Sequence, residues 1–328
     1  MEKKTHLCNA GVNAISVLPD GSANICFDRK NENLGNIFSE IKFNKNLVSC
    51  DKVHCSCPLW AFEKELHKKA KGEQYIERPY QAFIHWHITY QCQMMCDYCI
   101  VTGPDKATDT RDKLRKSEAV NIDAVIDTLD RTGLKYYISL MGGEPFLVPN
   151  IIEVVKKLTK KHIVGCNTNL AAMNPRFWQE VDISRLGNFH ISLHIQPMER
   201  KNLTARFIEN LNAMKLAGFT NYYITTVAHP RVLNKIQEYR KFFADQGVKF
   251  KLIPMLEGGG STGGKVYPES YTPEELSLIE TDWLDDYFPQ KNAVNEKPQI
   301  NKFRPRSPNN QEHLLLEQSD YSNKKGNV

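Results

Sequence analysis

The 328-residue chain lacks any apolar run close to the roughly 18 residues needed to cross a bilayer. Met1-Glu2-Lys3-Lys4 also leads into no apolar stretch of the signal-peptide kind. Neither membrane insertion nor export is expected, and a cytoplasmic location is. A large excess of one charge is missing too: the net charge is +5, from 43 Lys and Arg against 38 Asp and Glu. Much of the positive charge lies in helical stretches such as Lys156, Lys157, Lys160 and Lys161, which read as solvated faces, so nucleic-acid binding is unsupported. The nine cysteines are an odd number that cannot all pair. In a reducing cytosol they point to metal ligation rather than disulfides.

With 41% hydrophobic and 25% charged residues, the chain can bury a sizeable core. One large α/β domain with a small accessory unit fits its length. From Phe83 to Met255 strand-like runs alternate with helical ones, the pattern of βα units around a parallel sheet. Six strands are expected: Phe83 to Tyr90, Lys135 to Met141, His162 to Cys166, Asn188 to Ile195, Asn221 to Ala228 and Val248 to Met255. Among the helical stretches, Leu203, Phe207, Leu211 and Met214 recur at helical spacing before the terminator Gly218.

The most informative motif follows the first of these strands. Cys92, Cys96 and Cys99 stand in the spacing CxxxCxxC, with Tyr98 between the last two. Three thiolates on one short loop suit three irons of a [4Fe-4S] cube and leave the fourth iron open. A structural zinc site is the alternative, and it needs a fourth ligand such as His85 or His87. After the second strand comes Gly142-Gly143-Glu144-Pro145, in which paired glycines allow close backbone approach and Glu144 adds an acceptor for an ammonium group.

Together these motifs resemble the radical SAM superfamily. The resemblance implies a partial (βα)6 barrel over residues 80–256, with S-adenosylmethionine chelated by the open iron and one-electron cleavage to a 5′-deoxyadenosyl radical. It also implies contacts to S-adenosylmethionine from Tyr98 and Gly142 to Glu144, and from the third and fourth strand ends at Asn167, Asn169, Ser192 and His194. Apolar residues of the last two strands, Val227 and Met255, are implied to flank adenine. His194 stands where related peptide-modifying enzymes often have Asp, so it is a candidate hydrogen-bond partner or proton acceptor, against the blander reading of a barrel-lining residue. Cys166 reads as a small buried hydrophobe.

A second cysteine set occupies residues 1–75. Pro19-Asp20-Gly21 between Ile15 to Leu18 and Ala23 to Phe27 signals a hairpin, which is expected to bring Cys8 and Cys26 to one end of a small ribbon. Cys50, Cys55 and Cys57 follow. The set resembles the SPASM and twitch modules that carry auxiliary [4Fe-4S] clusters, down to the spacing of Gly21 and Cys26, although those modules usually follow the barrel and here no cysteine follows Met255. The expected ligands are Cys8, Cys26, Cys55 and Cys57 with Cys50 as alternate, and a zinc knuckle is the alternative.

Residues 257–328 begin with Glu257-Gly258-Gly259-Gly260-Ser261-Thr262-Gly263-Gly264, readable as a substrate lid or a linker. A helix capped at Thr272 is expected to run to about Tyr287, followed by a poorly ordered tail. The resemblance implies hydrogen abstraction from a peptide or protein side chain, ending in oxidation or crosslinking. A small-molecule or nucleotide substrate is the first alternative, and a non-catalytic iron-sulfur or zinc protein the second. An electron donor of the flavodoxin or ferredoxin type is the implied partner.

Overall fold

The computed structural model describes residues 6–26, 32–50, 79–99, 114–255 and 264–279. Its strands are β1 (His6–Cys8), β2 (Ala14–Val17), β3 (Ser22–Asn24), β4 (Asn33–Asn36), β5 (Glu40–Ile41), β6 (Val48–Cys50), β7 (Ala82–Thr89), β8 (Tyr136–Gly142), β9 (Ile163–Thr168), β10 (Leu186–Ser192), β11 (Tyr222–Val227) and β12 (Lys251–Ile253). The helices are α1 (Ile122–Arg131), α2 (Ile151–Leu158), α3 (Phe177–Glu180), α4 (Ile195–Arg200), α5 (Thr204–Leu216), α6 (Pro230–Leu233), α7 (Ile236–Asp245) and α8 (Pro273–Ser277).

Ten strands form one sheet in the order β12-β11-β10-β9-β8-β7-β2-β3-β4-β5. From β7 to β12 the neighbours are consecutive in the chain and parallel. Parallel neighbours need a crossover, and helices α1 to α7 lie in those connections. The α/β class and the six strands read from the sequence are therefore present, with bounds shifted by a few residues.

Alternation along each strand separates two faces. Tyr136, Ile138 and Leu140 of β8 and Phe189 and Ile191 of β10 are fully buried on the helix side. There Phe189 packs on Trp178 of α3, with ring centroids 5.8 Å apart. Cys166 shares this face at the register of Leu140 and is buried, as its sequence setting suggests. In α5, Phe207, Leu211 and Met214 are fully buried, and the chain leaves the helix at Gly218 with φ +78°. Asn210, on the same helix, donates to the Leu170 and Met173 carbonyls at 2.8 and 3.0 Å and ties the β9 end in place.

The N-terminal hairpin forms as expected: β2 and β3 are antiparallel, and Gly21 takes φ +84° in the turn. It does not stand apart from the barrel sheet. β2 pairs in parallel with β7, so the sheet continues through β3, β4 and β5. Thr128 of α1 donates to the Ser39 carbonyl at 3.1 Å, and Arg131 donates to the same carbonyl. β1 and β6 make a separate two-stranded ribbon in which His6 faces Cys50 and Cys8 faces Val48. Near the other end of the chain, α8 carries the expected capping box of Thr272 and Glu275. Cys55 and Cys57, most of the glycine-rich loop and the extension of the last helix toward Tyr287 lie outside the described residues.

Candidate functional site

In a βα barrel, side chains and loops gather at the C-terminal ends of the strands. Gly142 to Glu144, Asn167, Asn169, Ser192, His194, Val227 and Met255 lie at or just past those ends. The cysteine loop leaves β7 after Thr89. Met94 is fully buried and pins the loop to the core, while Met95 adopts φ +51° and turns the chain. A left-handed backbone at a non-glycine residue is uncommon and persists only where its surroundings hold it. Cys92, Cys96 and Cys99 flank this anchor and are all partly exposed.

Gly142 and Gly143 receive that loop. Gly143 N–H donates to the Thr89 carbonyl and Glu144 N–H to the Gln91 carbonyl, both at 2.7 Å. Gly142 sits at φ +123°, and a Cβ on it would collide with the Thr89 carbonyl. One on Gly143 would collide with the Gln91 carbonyl. Two glycines are therefore required for the β7 and β8 ends to meet. The Gln91 side chain accepts from Ser117 N–H at 2.8 Å and closes the base of the loop.

Glu144 is completely buried. One carboxylate oxygen accepts from Phe146 N–H at 3.0 Å and from the Thr168 hydroxyl at 2.7 Å. The other accepts from Asn169 N–H at 2.7 Å. Its side chain thus braces the β8 end against the β9 end. Burial raises its pKa to about 7, against the opposing pull of these three hydrogen bonds. Asn169 carries the brace onward, because its side-chain amide pairs reciprocally with Gln93 of the cysteine loop at 2.9 and 3.3 Å.

The far side of the loop rests on β10 and β11. The Tyr98 hydroxyl lies 3.1 Å from His194 Nδ1. Burial and the neighbouring Cys96 thiol push the Tyr98 phenol well above its ordinary pKa, so it stays protonated. The Tyr98 ring also lies 5.6 Å from that of His229, and Arg231 reaches Asp97 at 3.8 Å. His229 is 1% exposed, and its Nδ1 accepts from Arg231 N–H at 3.2 Å at the start of α6. His229 and Arg231 were missed in the sequence, although the rule that found His194, a polar residue just past a strand, applies equally to the Ala228-His229-Pro230 that follows β11.

The other expected residues distribute as follows. Asn167 and Ser192 lie near the ends of β9 and β10, where Asn167 pairs with His190 and Ser192 with Thr225. Val227 pairs with Ile253, and Met255, fully buried, donates its N–H to the Tyr271 hydroxyl at 2.7 Å. His85 and His87, named as possible zinc ligands, lie within β7 itself. Among the described residues no three His, Cys, Asp or Glu side chains gather as a single metal ion would require. A cubane cluster asks for a different arrangement, with each thiolate on its own iron. Three partly exposed thiols on a loop pinned by Met94, beside a strand end cleared of side chains by two glycines, fit such a group. In the N-terminal unit Cys8, Cys26 and Cys50 are all partly buried, and Cys8 Sγ accepts from Ala10 N–H at 3.5 Å.

The model of the Radical SAM superfamily matches residues 86–243. The mycofactocin maturase MftC of Mycolicibacterium smegmatis is 24% identical over 209 residues, covering 61% of this chain and 50% of that one. GTP 3′,8-cyclase 1 of Mycobacterium tuberculosis is 24% identical over 186 residues, covering 52% and 50%. The chain thus spans about half the length of these curated relatives. Among solved structures, SuiB of Streptococcus suis bound to S-adenosylmethionine aligns with TM-score 0.42 and 15% identity, covering 75% of this chain and 57% of that one. The stretch from Trp86 to Phe243, entered by β7 with its cysteine loop and followed by β8 with its glycine pair, is thus similar to the Radical SAM superfamily.

Proposed function

We infer that the chain is a radical SAM enzyme acting on a peptide or protein, in which Cys92, Cys96 and Cys99 hold a [4Fe-4S] cluster and S-adenosylmethionine binds beside them. Bound there, the pair supplies a 5′-deoxyadenosyl radical by one-electron cleavage, and that radical abstracts hydrogen from the substrate. The observation that carries the reading is the stapling of the cysteine loop to Gly142 and Gly143 by the bonds from Gly143 N–H and Glu144 N–H.

Gly142 and Gly143 offer backbone to the amino group of the cofactor while the buried Glu144 carboxylate keeps that backbone in place. Asn167, Asn169 and Ser192 offer hydrogen bonds to its ribose and carboxylate, and Val227 and Met255 an apolar flank for adenine. The hydrogen bond between Tyr98 and His194 supports His194 as a residue that accepts or relays a proton. In the N-terminal unit Cys8, Cys26, Cys55 and Cys57, with Cys50 as alternate, would hold an auxiliary [4Fe-4S] cluster, which would supply one-electron redox chemistry beside the substrate. A protein of the flavodoxin or ferredoxin type delivers the initiating electron.

The relatives named as maturases favour a peptide or protein side chain as the site of oxidation or crosslinking. The likeness to GTP 3′,8-cyclase 1 supports a nucleotide as the second reading. Anaerobic reconstitution with iron and sulfide, followed by an assay of S-adenosylmethionine cleavage, tests the core of the proposal. 5′-Deoxyadenosine is expected from the wild type and none from the Cys92→Ala, Cys96→Ala, Cys99→Ala triple variant. A loaded wild-type protein that makes none under dithionite overturns it.

A further inference from the structure

Below the strand ends, the face of the sheet turned away from the helices is arranged in layers. The lowest is aromatic. Phe83 and Tyr137, adjacent on β7 and β8, stack with centroids 5.3 Å apart and planes 7° apart, and the Tyr137 hydroxyl accepts from Asn188 N–H at 2.9 Å. Gly187 leaves room for that ring, since a Cβ there would stand 2.7 Å from it.

Above this floor runs a row at one register across five strands: Asn24 of β3, Ser16 of β2, His85 of β7, Ser139 of β8 and Gly165 of β9. Residues paired in this way share a face. Asn24, Ser16 and Ser139 are at most 8% exposed, and the buried Ser16 hydroxyl has no hydrogen-bond partner. A buried hydroxyl without a partner is costly, on the order of 1–3 kcal/mol, and calls for an explanation. The His85 ring stands edge-on to Phe83 at 5.0 Å, and burial with His87 nearby lowers its pKa to about 3, so it is neutral.

The next inward positions are His87, Met141, Asn167, His190, Ser192, Tyr223 and Thr225. On β2, β3 and β7 to β11 this face carries no Asp, Glu, Lys or Arg. Across the described residues of β2, β3 and β7 to β12, Lys251 of β12, paired with Thr225, is the one charged residue at an inward register. His85, Met141, Asn167, Ser192 and Tyr223 remain partly exposed, while the space over Gly165 is taken by the Tyr137 hydroxyl.

We propose that this face binds an uncharged, hydrogen-bonding group of the substrate, an amide of a peptide, with Ser16 and His85 as its specificity-determining residues. The proposal rests on the peptide reading above and narrows it: the N-terminal hairpin, through Ser16 and Asn24, forms one wall of the substrate site. Neutral donors and acceptors satisfy an amide, whereas a carboxylate or phosphate would lose its hydration with one distant cation to offset the loss. A site built to hydrogen-bond one polar group discriminates strongly against a group that leaves its own partners unpaired.

The test is binding, separate from turnover. N-acetylglutamine methylamide and its isostere N-acetylglutamate methylamide are titrated calorimetrically into the reconstituted 328-residue chain with S-adenosylmethionine present. The amide is expected to bind at least about tenfold more tightly, and Ser16→Ala to weaken it several-fold with a melting temperature no lower than that of the wild type. Ser16→Lys, which adds a cation to the row, is expected to weaken the preference for the amide. Equal or tighter binding of the carboxylate, no binding of either probe, or wild-type affinity in Ser16→Ala overturns the proposal. If the amide preference holds while reconstituted enzyme changes the mass of no peptide, the peptide-maturation reading fails and the chemistry of the pocket stands.

Discussion

The two cysteine sets of this chain are held in different ways. Cys92, Cys96 and Cys99 sit on a loop with a fully buried methionine at its centre, two backbone bonds to the neighbouring strand and an amide pair to Asn169. Cys8 and Cys50 end three-residue strands of a small ribbon, and Cys26 leaves a hairpin arm. A thiol triad set at the ends of parallel strands inherits the rigidity of the sheet. One spread over short antiparallel strands depends on whatever it binds to draw it together. The barrel set is therefore expected to keep its geometry without metal, and the N-terminal set to gain stability if the proposed metal binds there.

The largest expected effect separates the two sets by function. The barrel triple variant abolishes 5′-deoxyadenosine formation, whereas Cys8→Ala with Cys26→Ala leaves S-adenosylmethionine cleavage and lowers iron from about eight to about four per chain, as loss of one cubane requires. Four irons plus one zinc in the wild type would remove the auxiliary cluster from the proposal. Next comes Glu144→Gln. The carboxyl pKa is about 7 in the fold against an ordinary 4.5, so its contribution to stability is fully present below pH 4.5 and is lost as pH rises through 7. The loss is on the order of 3 kcal/mol. Urea midpoints measured from pH 4.5 to 8 should fall with pH in the wild type and lack this component in the variant, which also turns an amide N–H2 toward Asn169 N–H and lowers stability throughout.

Gly143→Ala should cost about 1–3 kcal/mol by forcing the loop from the strand, and calorimetric melting beside iron content would show both losses together. Smallest is Tyr98→Phe, which removes the hydroxyl facing His194 and is worth about 1 kcal/mol in stability. If turnover instead falls more than tenfold at unchanged cluster loading, the Tyr98 and His194 unit has a chemical task.

Much of this was legible in the sequence, because it is local. Strand runs, the cysteine spacing, the glycine pair and the Thr272 capping box each depend on residues within a few positions of one another. Two things were not legible. Ala14 to Val17 reads as one arm of a hairpin, and nothing local says that its other edge pairs with β7, nearly seventy residues on. Glu144 reads as an acceptor for a ligand, and only the meeting of β8 with β9 shows its oxygens engaged by Thr168, Asn169 and Phe146.

The parallel pairing of β2 with β7 has a consequence for solubility. A barrel sheet ending at β7 would present an eight-residue, largely apolar edge of unpaired backbone groups, a template for association between chains. The hairpin moves that boundary to β5, two residues long and carrying the exposed Glu40, and at the opposite boundary β12 is only three residues long. Among the described residues the N-terminal strands therefore leave only short edges for pairing with another chain, whatever the cysteines bind.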